Sequence, residues 1–273
     1  MRRAPSVHAA GHFGELLQGR LGADGPVVLI SLPCPVLSVT ARLVPARAFA
    51  LHCPQGHVLT PERARKFLRR LGLALPCRVT LHASMPLGGG AGSSTAALVA
   101  LARLAGWTGP AHALARACLA VEGATDPLMF DHPERLLWAS RRAEGVADLP
   151  SLPPFDIIGG FYGPPVHTTP ADTRFSDISD LVINWRAAAA AQDLSWLAQL
   201  ATTSANRSFA LRGIADPTAG LAHDLGALGY VAAHTGSARG LIYPRSAVPD
   251  DARAALRKAG FTRLVQFTAG GLS

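Results

Sequence analysis

The sequence lacks any continuous apolar run of the roughly 18 residues that a membrane-spanning helix requires, so we expect no membrane partner. Its first residues include two arginines but no apolar stretch of about 7–15 residues after them, which argues against a secretory signal. Cysteine is scarce, and its four residues are scattered without a C-x-x-C pair. We therefore predict a cytoplasmic protein whose thiols are reduced.

Charged residues are also few, at 16% of 273 residues, whereas hydrophobic residues make up 49%, enough to bury a core. The 26 basic residues exceed the 18 acidic ones, giving a net charge of +8. Such a balance can indicate nucleic-acid binding, but no run of five or six like charges occurs. A basic enzyme that handles anionic substrates has the same net charge, and we predict no nucleic-acid partner.

Alternation, turn residues and helix caps predict an α+β protein. Residues 7–53 are predicted to be β-rich, and further strands are expected at 77–83, 155–160, 181–185, 230–234, 240–243 and 263–267. Helices are expected at 61–72, from about 93 to 104, at 110–125, 187–203 and 249–259. A proline-containing connection at 141–155 separates two regions, so we predict one lobe at 1–150 and a second at 151–273.

The strongest chemical signal is the sequence PLGGGAGSST at 86–95, between a predicted strand and a predicted helix. Its four glycines permit positive φ angles and close approach of a ligand to the backbone, and a helix N-terminus attracts anions. We interpret this segment as a phosphate cradle, although a plain helix cap with a flexible turn is the simpler alternative. A Walker A loop is excluded because no lysine lies between Lys66 and Lys258. The dinucleotide fingerprint also fails, because the first acid after the glycines is Glu122.

This loop, Pro86-x-x-x-Gly90-Ala91-Gly92-Ser93-Ser94-Thr95, resembles the P-x-x-x-G-L-G-S-S-A loop of the GHMP kinases. The resemblance implies a two-lobed GHMP kinase fold, with a ribosomal-protein-like N-terminal β/α lobe and a ferredoxin-like C-terminal lobe. It implies that ATP is bound by the loop and that Ser93 or Ser94 contributes to a Mg²⁺ site. The ATP-binding residues implied are Pro86, Gly88, Gly89, Gly90, Ala91, Gly92, Ser93, Ser94 and Thr95.

A second segment, GHFGELLQG at 11–19, is similar to the G-x-x-G-E-L-x-Q-G opening of the L-threonine kinases associated with cobalamin synthesis and propanediol utilisation. The similarity implies that Glu15 and Gln18 bind the substrate. A solvated edge of a β-hairpin is the alternative interpretation of these polar residues.

Two acids stand near the end of the helix predicted at 110–125. Pro127 disfavours helical backbone at Asp126, which places this acid at a helix C-terminus, where the dipole is unfavourable for an anion. Glu122 precedes it by four residues and shares its face if the helix persists. The pair resembles the Glu…Thr-Asp element of these L-threonine kinases and the metal-binding Glu and catalytic Asp of mevalonate-kinase-like GHMP kinases. The resemblance implies that Glu122 binds the metal and that Asp126 is the catalytic base. An exposed pair at a helix end is the alternative.

A third segment, AAHTGSARG at 232–240, is similar to the third GHMP motif, a glycine-containing turn near the active site. The similarity implies substrate contacts, for which the candidates are Thr235, Gly236, Ser237 and Arg239. A plain hairpin turn needs none of these contacts.

Together the three segments predict a kinase that transfers the γ-phosphoryl group of ATP to the hydroxyl of L-threonine, with Mg²⁺ as cofactor. The product would be O-phospho-L-threonine for cobalamin biosynthesis. Two alternatives stay open: another GHMP kinase, of the homoserine or mevalonate type, or a catalytically inert GHMP-fold binding protein. Both a monomer and a homodimer are compatible with the sequence.

Overall fold

The computed structural model describes residues 5–56, 58–166, 169 and 171–271. Within these residues one sheet contains ten strands. They are β1 (Ser6–Arg20), β2 (Val27–Pro45), β3 (Ala50–His52), β4 (Cys77–Ala83), β5 (Leu136–Ala139), β6 (Glu144–Asp148), β7 (Phe155–Phe161), β8 (Gly229–Ala232), β9 (Ala238–Pro244) and β10 (Thr262–Ala269).

The helices pack against this sheet and against one another. They are α1 (Pro61–Arg70), α2 (Ser93–Leu104), α3 (Ala111–Glu122), α4 (Ser179–Ala190), α5 (Leu194–Arg212), α6 (Thr218–Asp224) and α7 (Ala252–Lys258), with a single 3-10 turn at Pro133–Arg135. In the described ranges, none of these helices has both the length and the apolar character needed to cross a bilayer.

The strand order is β10-β7-β9-β8-β1-β2-β4-β3, with β5 beside β2 and β6 beside β5. These pairings are antiparallel except for β3 with β4. The predicted α+β class is thus confirmed. The expected lobe boundary near residue 150 falls between β6 and β7 and stays a prediction.

Strand β1 lies between β8 on one side and β2 on the other, and so connects β10, β7, β9 and β8 with β2, β4 and β3. It pairs with β2 along most of its length and with β8 through Glu15, which lies opposite Ala232. Its register with β2 shifts between His12 and Glu15 and again between Glu15 and Leu17. In a regular strand, residues three apart point to opposite faces. These two irregularities allow His12, Glu15 and Gln18 to reach the same cavity.

Helix α2 is central to the core, and all its residues from Thr95 to Ala102 are buried. Alanines fill much of this helix, so it packs closely against β1 and β2. Because the body of α2 is covered on all sides, the helix is a fixed support for the partly exposed glycine–serine loop at its N-terminus.

Three predicted elements are wrong in detail. Residues 181–185, predicted as a strand, lie in α4, and the helix predicted at 187–203 is divided between α4 and α5. The helical conformation is interrupted at Gln192, which has a φ of +54°. Asp193 then caps α5 by accepting a hydrogen bond from the Trp196 amide. The helix predicted at 110–125 ends at Glu122, because Gly123 adopts a left-handed conformation.

Candidate active site

A cavity of about 410 Å³ lies where the glycine–serine loop, β1, the end of α3 and the turn between β8 and β9 meet. Most of the residues singled out from the sequence line it: Glu15, Gln18, Gly88, Gly90, Ala91, Gly92, Ser93, Ser94, Thr95, Glu122, Asp126 and Thr235. Five others do not line it: Pro86, Gly89, Gly236, Ser237 and Arg239. Four segments far apart in the chain therefore share one cavity.

The glycine loop is held by bonds to its carbonyl oxygens. The Val166 amide donates to the Gly88 oxygen at 2.9 Å, the Ser237 amide to the Gly89 oxygen at 3.0 Å, and the His12 amide to the Ala91 oxygen at 3.2 Å. The hydrogen bond between Ser237 and Gly89 thus stabilises the loop from outside the cavity. The three positive φ angles of +70°, +73° and +68° at Gly88, Gly90 and Gly92 explain the need for glycine.

The start of α2 fits a bound phosphate. Gly92 occupies the cap position and offers no side-chain hydrogen bond to the first turn. The first amides of a helix have no partner within the helix and carry the positive end of its dipole. Ser93 and Ser94 line the cavity beside these amides. This combination is a favourable site for phosphate oxygens.

Ser94 and Glu122 form the oxygen-rich end of the cavity. The Ser94 hydroxyl donates to Oε1 of Glu122 at close range, and Thr95 Oγ1 lies 3.4 Å from Oε2 of the same carboxyl group. Burial raises the pKa of Glu122 to about 7. No hydrogen bond joins Ser93 to Glu122 in the described part of the chain. A carboxylate beside a hydroxyl is a suitable donor set for Mg²⁺, so Ser94 fits the metal site better than Ser93.

Asp126 faces a buried histidine to which the sequence analysis assigned no role. His12 Nε2 lies 3.4 Å from Oδ2 of Asp126, and His12 Nδ1 lies 3.4 Å from Oε1 of Glu15. Burial lowers the pKa of His12, but the two carboxyl groups outweigh it and raise the pKa to about 9. His12 is therefore a cation at neutral pH.

Glu15 is the most deeply buried carboxyl group of this cluster. Burial raises its pKa to about 8, against the opposing effect of His12. Among the described residues, none gives a hydrogen bond to its Oε2 atom. His12, Glu15 and Asp126 offer atoms within 4.8 Å of one another, a spacing that also suits a metal ion. Because His12 holds its proton firmly, we interpret the cluster as a histidine cation between two carboxyl groups.

A second cluster lies at the part of the cavity wall that contains Thr169, Asp172 and Phe175. His234 stacks on Phe175, with ring centroids 4.4 Å apart. Arg212 lies 2.9 Å from Nε2 of His234, and Gln18 Oε1 lies 3.0 Å from its Nδ1. Since a guanidinium group only donates, Nε2 accepts and Nδ1 donates to Gln18. Burial and the nearby Arg212 lower the pKa of His234 to about 3, so this histidine is neutral.

Gln18 is held by protein groups at both ends of its amide. Its Nε2 atom donates to the Ala232 oxygen at 2.9 Å, while Oε1 accepts from His234. The side chain lines the cavity, yet its hydrogen bonds connect β1 to the turn after β8. Gln18 therefore positions this wall of the site.

Arg239 lies behind the cavity. Its Nε donates to Asp216 Oδ2 at 2.7 Å, and both side chains are at most 5% exposed. Its guanidinium group also lies 4.8 Å from the centre of the Phe209 ring. Gly236 packs directly on the loop, since a Cβ there would lie 2.5 Å from the Gly89 carbonyl carbon. The third motif thus supports the loop through Gly236 and Ser237, and Arg239 is engaged in a buried ion pair.

A smaller cavity of about 230 Å³ adjoins the beginning of the glycine loop. Its lining is largely apolar and consists of Gln55, Gly56, Val58, Leu81, Ala83, Met85, Pro86, Leu87 and Arg263. Pro86, which is absent from the lining of the larger cavity, belongs to this one.

The larger cavity is also lined by residues that were not predicted from the sequence, namely His12, His234, Arg141, Asp172 and Phe175. His12 and His234 stand inside two of the segments already singled out, and this position was the signal available. Arg141, Asp172 and Phe175 lie in segments without a motif, so nothing local marks them.

Residues 60–131, about a quarter of the chain, match the family model described as GHMP kinases N terminal domain. The matched segment includes the glycine loop, Glu122 and Asp126. No curated protein matches the sequence significantly.

Solved structures are similar over almost the whole chain. Mevalonate kinase from methicillin-resistant Staphylococcus aureus is 14% identical with a TM-score of 0.62, and the match covers 98% of this chain and 100% of that chain. Homoserine kinase from Cytophaga hutchinsonii is 15% identical with a TM-score of 0.60, over 97% and 94% of the two chains. Streptococcus pneumoniae phosphomevalonate kinase in complex with phosphomevalonate and AMPPNP is 13% identical with a TM-score of 0.63, over 96% and 100%. The chain has the GHMP kinase fold, as expected from its sequence.

Proposed function

We propose that this protein is a kinase that transfers the γ-phosphoryl group of ATP to the side-chain hydroxyl of L-threonine. The product would be O-phospho-L-threonine, for cobalamin biosynthesis in the cytoplasm. The observation that carries the proposal is the pairing of Asp126 with the buried cation of His12, inside the cavity that also contains the phosphate-binding loop. A carboxylate that lies next to a fixed cation and beside a phosphate site is well placed to bind the hydroxyl group of the acceptor.

The glycine loop and the start of α2 would hold the phosphates of ATP. Gly88, Gly90, Gly92 and Ser93 line the cavity, which supports this role. The base of the nucleotide has a suitable place in the smaller apolar cavity beside Pro86 and Leu87. The similar phosphomevalonate kinase was solved in complex with AMPPNP, an ATP analogue, which supports ATP as the nucleotide.

Ser94 and Glu122 would hold Mg²⁺ through a hydroxyl and a carboxylate oxygen. When bound, the ion would neutralise the charge that develops on the transferred phosphoryl group. Ser94 and Glu122 already lie in contact, so little rearrangement of the protein is needed to present both oxygens.

Asp126 would orient the acceptor hydroxyl and accept its proton. Its side chain is a quarter exposed to the cavity, unlike the buried His12 beside it. Glu15 lines the same cavity, and a carboxyl oxygen of this side chain would accept a hydrogen bond from the ammonium group of an amino acid. Alignment and charge neutralisation would supply most of the rate enhancement, as is usual in phosphoryl transfer.

L-threonine as the acceptor rests on the similarity of residues 11–19 to the L-threonine kinases. Homoserine and mevalonate are the alternative acceptors, since kinases named for them share the fold. A catalytically inert binding protein is a further alternative, which Asp126 and the complete loop argue against.

The test is ADP release with threonine, serine, homoserine, mevalonate and galactose, followed by phosphorus NMR of the product. We expect threonine to give the highest kcat/KM. A clear preference for homoserine or mevalonate would overturn the L-threonine assignment, and ATP binding without turnover of any acceptor would support an inert protein.

A further inference from the structure

Arg141 is a half-buried arginine in the part of the cavity wall that contains Phe175. It lines the cavity together with Phe175 and Asp172. Its guanidinium carbon lies 5.0 Å from the centre of the Phe175 ring. Its hydrogen bond to the Thr169 carbonyl oxygen is long, at 3.5 Å. A guanidinium group supported by an aromatic ring, with donors left over, is well suited to bind an anionic group.

We propose that Arg141 binds the carboxylate of the acceptor, so that the substrate class is a hydroxyl-bearing amino acid. The proposal rests on the proposed kinase function and names the group that selects its acceptor. Arg141 would bind the carboxylate of the substrate, and Glu15 would bind the ammonium group on the same carbon atom. The hydroxyl of the same molecule would then lie at Asp126.

The backbone places Arg141 close to Asp126. The Thr125 amide donates to the Ser140 oxygen at 2.9 Å, so the residue before Arg141 pairs with the residue before Asp126. The Trp138 indole also donates to the Thr125 oxygen at 2.7 Å. Asp126 and Arg141 therefore each follow a residue of one hydrogen-bonded pair, a placement that suits a site aligning two ends of one small molecule.

The other arginines near this wall are already engaged. Arg212 donates to Asp172 Oδ2 at 2.7 Å, to the Arg174 oxygen and to His234. Arg239 forms its ion pair with Asp216 outside the cavity. Arg63 lines the cavity near Glu122, the end assigned to the metal. Arg141 is therefore the arginine best placed for the acceptor.

The test compares R141Q with R142Q, a neighbouring exposed arginine outside the cavity lining, using L-threonine and L-threoninamide as acceptors. The amide keeps the hydroxyl and the ammonium group but lacks the carboxylate charge. We expect R141Q to raise the KM for L-threonine by about 10–100-fold, the range for a charge-assisted hydrogen bond, while kcat and the KM for ATP change little. Wild type and R142Q should discriminate against the amide by a similar factor, and R141Q should not.

If the wild type had the same KM for L-threonine and for L-threoninamide, the proposal would be overturned. An R141Q variant that loses kcat and ATP affinity equally with both acceptors would overturn it too, because Arg141 would then act on the phosphates. If another carboxylate acceptor is preferred, the threonine assignment fails but the proposal is tested with that acceptor and its amide. If no acceptor is turned over, calorimetry with AMPPNP present decides: L-threonine binding that is absent, or equal in wild type and R141Q, contradicts the role of Arg141.

Discussion

Oδ2 of Asp126 lies 3.4 Å from Nε2 of His12, although 113 residues separate the two in the sequence. The sequence analysis placed Asp126 at a helix end that disfavours an anion, but α3 ends four residues earlier at Glu122. The negative charge of Asp126 is therefore balanced by a buried histidine cation. This pairing fixes the carboxylate in the cavity before any substrate binds.

Replacing Asp126 with asparagine should abolish most of the kinase activity. The amide keeps the size of the side chain but cannot accept the proton of the hydroxyl, so kcat should fall by roughly 10²–10⁴. ATP binding measured by calorimetry should be nearly unchanged, since the loop holds the phosphates. Asp131→Asn, at an exposed position five residues later, serves as the control. Turnover of D126N within a few-fold of wild type would place the base elsewhere.

The stability of the protein should decrease as the pH rises from about 5 to 9. Folding raises the pKa of Glu15 from 4.5 to about 8 and that of His12 from 6.5 to about 9. Glu122, whose pKa is also raised, acts in the same direction, and together these groups outweigh the opposite effect of His234 at the acidic end of the window. The folded state therefore binds more protons than the unfolded state between pH 5 and 9, and stability falls with pH. Urea unfolding at several pH values measures the slope. E15Q should flatten it between pH 5 and 8, and an unchanged slope would contradict the assigned charges.

Ser94→Ala should weaken the use of Mg²⁺–ATP more than Ser93→Ala does. Ser94 donates to Glu122, whereas Ser93 only lines the cavity at the start of α2. Loss of a group that holds or orients a metal ligand usually costs about 10–100-fold in affinity or activity. Kinetics over a range of Mg²⁺ concentrations, with ATP saturating, measure the effect. Equal defects in the two variants would remove the distinction between the serines.

Gly90→Ala should destabilise the fold, because residues of the third motif (232–240) leave no room for a side chain at this position. A Cβ there would lie 2.5 Å from the Thr235 oxygen, and φ is +73°. Gly106→Ala is the matched control, since Gly106 has a φ of +82° with no atom within 4 Å. The backbone conformation alone costs about 1–2 kcal/mol, so Gly106→Ala should lose that amount and Gly90→Ala should lose more. Equal losses in urea unfolding would show that the loop moves freely away from Thr235.

Arg239→Gln should reduce stability by about 3–5 kcal/mol, because it leaves Asp216 buried without its partner. Arg245→Gln is the control: Arg245 pairs with Asp156 at 3.5 Å but is 53% exposed, and exposed pairs contribute at most about 1 kcal/mol. Denaturant unfolding measures both. A stable R239Q protein with a raised KM for the acceptor would instead support the substrate contact that the sequence predicts for Arg239.

The sequence predicted those parts of the fold that have local signals. The strand at Cys77–Ala83, the glycine loop and α2 follow one another as expected, because alternation, glycines and a helix start are all readable there. Residues 181–185, LVINW, have the composition of a strand, but in the folded protein they lie in helix α4. There the tertiary contacts of α4 with α5 outweigh the β-propensity of valine and isoleucine.

The candidate site was predictable only where its residues carry a motif. Glu15, Glu122 and Asp126 were found because each stands in a recognisable segment. The positions of His12 beside Asp126 and of Arg141 beside Phe175 depend on which strands become neighbours. Nothing in the spacing of these residues along the chain encodes that, so the electrostatic balance of the site appears only in three dimensions.

The two register shifts of β1 limit how the length of this segment can change. Phe13, between His12 and Glu15, is fully buried against Phe161 and Phe267, and Gly14 needs its positive φ to pass close to Ala232. Each shift places one extra residue of β1 against β2. Deleting one residue here would remove only one of the two shifts, inserting one would add a third, and either change would turn part of the set His12, Glu15 and Gln18 away from the cavity. Proteins that share this site should therefore differ in residue type along β1 far more readily than in the number of residues between positions 12 and 18.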